Sequence, residues 1–175
     1  SPTRELCLQI TNEIKLYSKY IDGLYTVAVY GGASIHDQAR DIKRGAQVIV
    51  ATPGRMQDMI NRGMVNIKNI SICVLDEADE MLNMGFYEDI VNILSTTPDE
   101  KNTWLFSATM PAEVARIGKQ FMTNPVEITV GTKNSGSATV SHEFYLVNAR
   151  DRYEALKRLI DFNPGIYGII FTRTK

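Results

Sequence analysis

Short, nearly continuous apolar runs alternate along this chain with amphipathic stretches, and few folds accept that order. It is the pattern of an α/β protein with a mainly parallel sheet, because parallel neighbours must be joined by a crossover, usually a helix. The runs at 26–30, 47–51, 70–75, 103–106 and 125–130 are the expected strands. Their largely unbroken apolar character implies that helices cover both faces of the sheet. Between them, Leu6, Ile10, Ile14 and Tyr17 recur at spacings of three and four and predict a helix from about residue 4 to 20. Ile35, Ala39 and Ile42 predict a second helix, opened by Ser34 and Asp37 in the manner of a capping box and stopped by Gly45. Further helices are expected around Met56, Met59 and Ile60, around Phe86, Ile90, Val91 and Leu94, and around Val114, Ile117 and Phe121.

After Val130 the texture changes. Residues 131–139 hold no large apolar side chain, and 131–140 is expected to be a flexible linker. A strand at 143–147, a helix carrying Tyr153, Leu156 and Ile160, and a strand at 166–171 should follow. One strand–helix–strand unit cannot bury its own faces. The expected organisation is therefore a partial first domain at 1–130, the linker, and the beginning of a second domain at 141–175.

Composition narrows the class further. With 44% apolar and 22% charged residues the chain should fold rather than stay disordered. No run approaches the ~20 apolar residues that span a bilayer, so no membrane partner is expected. Ser1–Glu5 does not read as a signal peptide. The two cysteines, Cys7 and Cys73, lie far from each other and from His36 and His142, which argues against zinc and suits a reducing, cytoplasmic setting. Cys73, inside an apolar run, should be a buried thiol. A net charge of −1 offers no general attraction for nucleic acid, although a basic face can lie opposite an acidic nucleotide site.

The chemistry is most legible at 70–79, where an apolar strand ends in Asp76-Glu77-Ala78-Asp79. A strand of this kind delivers its last residues to the carboxyl edge of a sheet, where α/β proteins bind ligands. There Asp76 can hold Mg²⁺, usually through water, beside nucleotide phosphates. Glu77 is then placed to orient and deprotonate an attacking water. A plain structural reading competes with this, since acidic residues also favour the first turn of a helix.

The surrounding motifs decide between them. Pro2-Thr3-Arg4-Glu5-Leu6, Gly31-Gly32, Thr52-Pro53-Gly54-Arg55, Asp76-Glu77-Ala78-Asp79, Ser107-Ala108-Thr109 and 169–174 occur in one order along nearly the whole chain. In that order they resemble motifs Ia, GG, Ib, II, III and IV of the DEAD-box ATP-dependent RNA helicases. Cys7 stands where alanine is common in that family. The bacterial members are the somewhat better match.

The resemblance implies a RecA-like parallel sheet with helices on both faces, incomplete here, followed by the start of a second RecA-like domain. It implies ATP and Mg²⁺ as cofactors and RNA as partner, held by its backbone with little sequence preference. Asp76 and Glu77 would be catalytic, with Asp76 as the Mg²⁺ residue. Asp79, Ser107 and Thr109 would couple hydrolysis to strand separation. Pro2, Thr3, Arg4, Gly31, Gly32, Thr52, Pro53, Gly54, Arg55 and Phe171 would contact RNA. Thr52 is a natural N-cap, Pro53 suits the first helical position, and a helix start aims free N–H groups at a phosphate. Gly54 allows close approach, and Arg55 can add a bidentate contact. Phe171 reads equally well as a core aromatic.

The phosphate cradle Gly-x-x-x-x-Gly-Lys-Ser/Thr occurs nowhere, and Gly118-Lys119 is the only Gly-Lys pair. In the family that cradle precedes motif Ia and the arginine finger follows motif IV. The chain alone is therefore expected to be inactive, and the missing central strands are expected to leave sheet edges open to self-association. Two other readings stand beside this one. A degenerate relative would clamp RNA without hydrolysis. An unrelated Mg²⁺-dependent phosphohydrolase would explain Asp76-Glu77 but leave Thr52–Arg55 without purpose.

Overall fold

The structure, a computed structural model, describes residues 1–130 and 140–172. Two compact units divide it, Ser1–Ser135 and Gly136–Lys175.

In the first unit the order of elements is α1 (Arg4–Tyr17), β1 (Thr26–Val29), α2 (Ile35–Lys43), β2 (Val48–Ala51) and α3 (Pro53–Asn61). It continues with β3 (Ile72–Leu75), α4 (Ala78–Asn83), α5 (Tyr87–Ser95), β4 (Asn102–Leu105) and α6 (Ala112–Phe121). β1 pairs parallel with β2, Thr26 opposite Val48, and β3 pairs parallel with β4, Ile72 opposite Asn102. The class is α/β as expected, but the single sheet is two separate pairs. No described strand lies between β2 and β3.

Each pair has its own core. Val27 and Val29 meet Ala39 from α2 and Met56 and Met59 from α3, with Val65 and Ile67 closing the cluster. Leu75 meets Ala78 and Met81 from α4, Ile90 and Leu94 from α5, and Val114 and Ile117 from α6. The β1–β2 pair is covered on its second face by α1, whose buried Cys7 donates its thiol to the Val50 carbonyl at 3.2 Å. The β3–β4 pair is not covered there. Ile72, Val74 and Trp104 share that face and are about half exposed, so the expectation of helices on both faces holds for one pair only.

Several boundaries move. α1 stops at Tyr17, where Ser18 N–H turns back to Ile14 O at 2.8 Å, so Tyr20 lies outside it. α4 matches the competing structural reading of the acidic run as a first helical turn, with Ala78 and Met81 buried one turn apart. Cys73 is half-buried rather than buried, because it lies in the thin β3–β4 half.

The expected strand at 125–130 is absent. Val126, Ile128 and Val130 alternate as a strand would, yet each is more than four-fifths exposed, because no described strand runs beside them. Pattern prepares a strand; pairing makes one.

The second unit contains a 3₁₀ turn (Ala149–Asp151) and α7 (Arg152–Phe162). The strands expected at 143–147 and 166–171 do not form, and none of its described residues is buried. A lone helix gives such segments no sheet to join. Residues 131–139 of the expected 131–140 linker, with Arg173 and Thr174, lie outside the described residues.

Candidate active site

Leu75, the last residue of β3, is buried, and the chain leaves the sheet at once. Asp76 is half-buried and Glu77 exposed at this C-terminal rim. Glu77 caps α4 in the left-handed region, φ 52° and ψ 51°, without a side-chain cap bond. A non-glycine residue there costs roughly 1–2 kcal/mol. The neighbours hold it in place: Phe106 N–H donates to Leu75 O at 2.8 Å, and Ala78 N–H donates to Phe106 O at 3.0 Å. β4 thus continues its grip on the chain past the end of β3, and the turn at Glu77 aims its carboxylate outward.

One turn later Asp79 is tied to the exit of β4. Its Oδ2 accepts from Thr109 Oγ1 at 2.7 Å and from Thr109 N–H at 2.8 Å. Its own N–H donates to Ser107 Oγ at 3.2 Å, and that hydroxyl donates to Thr109 O at 2.7 Å. Burial is the largest single influence on the Asp79 carboxyl and pulls its pKa upward. The hydrogen bonds that the carboxylate accepts from the Thr109 hydroxyl and from the Thr109 and Glu80 N–H groups, with Ser107 close by, together outweigh it. The carboxyl is held below its usual range, and Asp79 is an anion locked between α4 and the 107–109 turn. The expected partnership of Asp79, Ser107 and Thr109 is present in full.

The other half builds its rim from backbone. Thr3 caps α1, its Oγ1 accepting from Leu6 N–H at 3.2 Å, and Pro2 before it is buried. Arg4 lays its guanidinium over the Tyr30 ring, 4.9 Å from the centroid, where β1 ends in Gly31-Gly32. Gly32 has φ +83°, and a Cβ there would lie 3.5 Å from the Arg4 guanidinium, so the turn wants glycine for conformation rather than space.

Thr52 stands at the N-cap of α3 with Pro53 at the first helical positions, as expected, but makes no side-chain cap bond. Its N–H instead continues the ladder to Val29 O at 2.9 Å. Arg55 points inward to the glycine loop: one guanidinium nitrogen donates to Ala33 O at 3.0 Å and to Gln38 Oε1 at 3.2 Å. Gly54 faces α5, where a Cβ would meet the Phe86 ring at an ordinary 3.6 Å.

The Ser1 nitrogen donates to Ala51 O at 2.9 Å, beside Thr52. Thr3 and Thr52 thus lie together past the end of β2, and Asp76 and Glu77 follow the end of β3. Phe171 belongs to the second unit and is 90% exposed, like the rest of a unit in which no described residue is buried.

Sequence reasoning missed Gln38. It is buried, donates to Tyr30 O at 3.0 Å and receives Arg55, and so pins the start of the glycine loop. The available signal was a neutral amide beside the apolar stripe of α2.

Asp76 suits a hard cation. One of its oxygens accepts from Glu77 N–H at 3.1 Å, and the other has no partner among the described residues. The described residues contain no cluster of three or more metal-ligating side chains. A single carboxylate oxygen of this kind can serve a hard cation that takes its other ligands from water and phosphate oxygens.

A family model described as DEAD/DEAH box helicase matches residues 1–117. The chain is 41% identical over 175 residues to the ATP-dependent RNA helicase DeaD of Haemophilus influenzae, covering all of this chain and 28% of that one. It is 43% identical over 176 residues to the DEAD-box ATP-dependent RNA helicase CshA of Bacillus subtilis, covering all of this chain and 35% of the relative. The crystal structure of a DEAD box protein from Methanococcus jannaschii superposes with a TM-score of 0.70 at 42% identity, over all of this chain and 46% of that one. The chain thus spans about a third of the length of these curated relatives.

Proposed function

Because the chain belongs to the DEAD/DEAH box helicase family and has its RecA-like α/β fold, we propose that it is the motif Ia-to-IV part of an ATP-dependent RNA helicase. The observation that carries the reading is the Asp79–Thr109–Ser107 network beside an outward Glu77. A hydrolytic group and a sensor of its state share one turn of chain. Asp76 would hold Mg²⁺ by its free oxygen, and the ion would supply charge neutralisation at the phosphates of ATP. Glu77 would orient the attacking water and take its proton. Movement at Glu77 reaches the 107–109 turn through Asp79, which is the proposed route from hydrolysis to duplex opening.

RNA would lie along the other half of the rim. The helix starts at Thr3 and Thr52 and the Gly31-Gly32 turn would face its phosphates, with Pro2, Pro53 and Gly54 shaping them. Arg4 would supply charge, and Arg55 would act chiefly by positioning the glycine loop. Phe171 would add a contact from the second domain beginning at 141, after the linker at 131–140. A cytoplasmic setting fits two free thiols and the absence, among the described residues, of any helix long and apolar enough to cross a membrane. Self-association of the isolated chain through the open edges facing one another across β2 and β3 belongs to the same proposal.

The test is a chimera in which these residues replace the matching segment of the Bacillus subtilis relative. RNA-stimulated phosphate release should survive the exchange. Glu77→Gln in that chimera should lower it by about 10²-fold or more while RNA binding persists. A chimera that binds RNA and hydrolyses nothing would favour an RNA clamp instead. The chain by itself should release no phosphate above background, and turnover near that of the chimera would defeat that part of the proposal.

A further inference from the structure

The outer edge of β1 lies open in a groove between α1 and α2. The end bonds of the β1–β2 ladder, Val48 N–H to Tyr25 O and Thr52 N–H to Val29 O, fix its phase. Odd-numbered residues of β1 bond to β2, so the N–H and C=O groups of Thr26 and Ala28 point away from it. None of these four groups has a hydrogen bond among the described residues. The Thr26 hydroxyl beside them is buried and also lacks a partner. A cavity of about 310 Å³ runs along this edge. Its walls differ: α1 contributes Leu8 and Lys15, and α2 contributes Asp37 and Asp41 one turn apart.

We propose that this groove takes an extended peptide segment of a partner protein, added as a strand on β1, with basic side chains alternating with apolar ones. A row of unpaired edge groups is a template for another strand. An added strand sends alternate side chains to the two faces of the sheet. On one face they meet Leu8; on the other they meet Asp37 and Asp41. Those carboxylates now pair with Arg40 and Arg44 at 2.6 and 3.0 Å in exposed bridges, which are weak and exchangeable. A basic residue of the peptide can therefore take their place. The groove runs along the strand and ends beside the Gly31-Gly32 turn, at Tyr30, Ala33 and Ser34; no residue of β3 or β4 lines it, so it is separate from the acidic rim that carries Glu77.

The experiment titrates the isotope-labelled chain with an acetylated peptide alternating valine and arginine, following amide resonances and hydrogen exchange. Perturbation should centre on residues 25–30 and the two walls, and exchange at Thr26 and Ala28 should slow by about tenfold or more. Ala28→Pro removes an outward donor without touching the β1–β2 ladder and should abolish binding. Should that variant not fold, Asp37→Asn with Asp41→Asn is the second arm, expected to weaken binding by about tenfold. Unchanged exchange at Thr26 and Ala28 at millimolar peptide overturns the proposal. So does equal binding of a valine–glutamate peptide, or a short oligouridylate that protects these amides where the peptide does not.

Discussion

The two strand pairs of the first unit make their rims from different materials. After β1 and β2 the rim is backbone: glycine turns and helix starts, steadied from within by Arg55, Gln38 and the Arg4–Tyr30 stack. After β3 and β4 it is side chain: Asp76 and Glu77 outward, Asp79 tied to Ser107 and Thr109. The first suits a ligand read by shape and phosphate spacing, which asks for fixed N–H groups. The second suits a reaction in which charge moves, which asks for carboxylates with set protonation. Their support differs as well: the pair beneath the backbone rim is covered on both faces, and the pair beneath the acidic rim on one.

The largest test is whether the halves fold as one. Met59→Ala empties the first core and Leu94→Ala the second, and each should cost about 2–5 kcal/mol by chemical denaturation. Coincident loss of amide protection on both sides would mean that the contact of α3 with α5 couples them. Loss confined to the mutated side would divide the unit in two.

Next in size is the acidic rim. Asp79→Ala removes an anion accepting several hydrogen bonds and should cost about 1.5–3 kcal/mol, with resonance changes centred on 107–109. Its pH dependence has a definite sign. The folded carboxyl titrates below the unfolded one, so the stabilisation is complete above the usual carboxylate range and disappears as pH falls through the lowered value. Thr109→Val should shrink that acid-side loss in a denaturation series taken at decreasing pH.

The smallest effect is expected at the backbone rim. Arg55→Lys removes the guanidinium nitrogen that donates to both Ala33 O and Gln38 Oε1 and should cost about 1 kcal/mol. Hydrogen exchange at 31–34 should quicken while 107–109 stays unchanged. A response at 107–109 would show the two rims to be wired together more directly than their bonds indicate.

How much was legible follows the range of the forces. Local order was readable: the caps at Thr3 and Ser34, the stop at Gly45 and the acidic exit after Leu75 all depend on neighbours within a turn. Asp79 with Ser107 and Thr109 was readable only because motif order supplied a partner 28 and 30 residues away. Arg55 turned inward for a reason no local pattern contains, since Gln38 and Ala33 reach it from 17 and 22 residues away. The strand at 125–130 failed for the converse reason: Val126, Ile128 and Val130 hold a correct local pattern, but nothing stands beside them to pair.

The left-handed backbone at Glu77 has a practical corollary. Glycine would adopt φ 52° without steric penalty, so Glu77→Gly should stabilise this chain by about 1 kcal/mol, seen as a higher melting temperature, while deleting the carboxylate. A screen that ranks variants by thermal resilience alone would therefore promote a replacement that removes the proposed water-activating acid. Such a gain would measure how far durability has been surrendered here to keep one acid in its place.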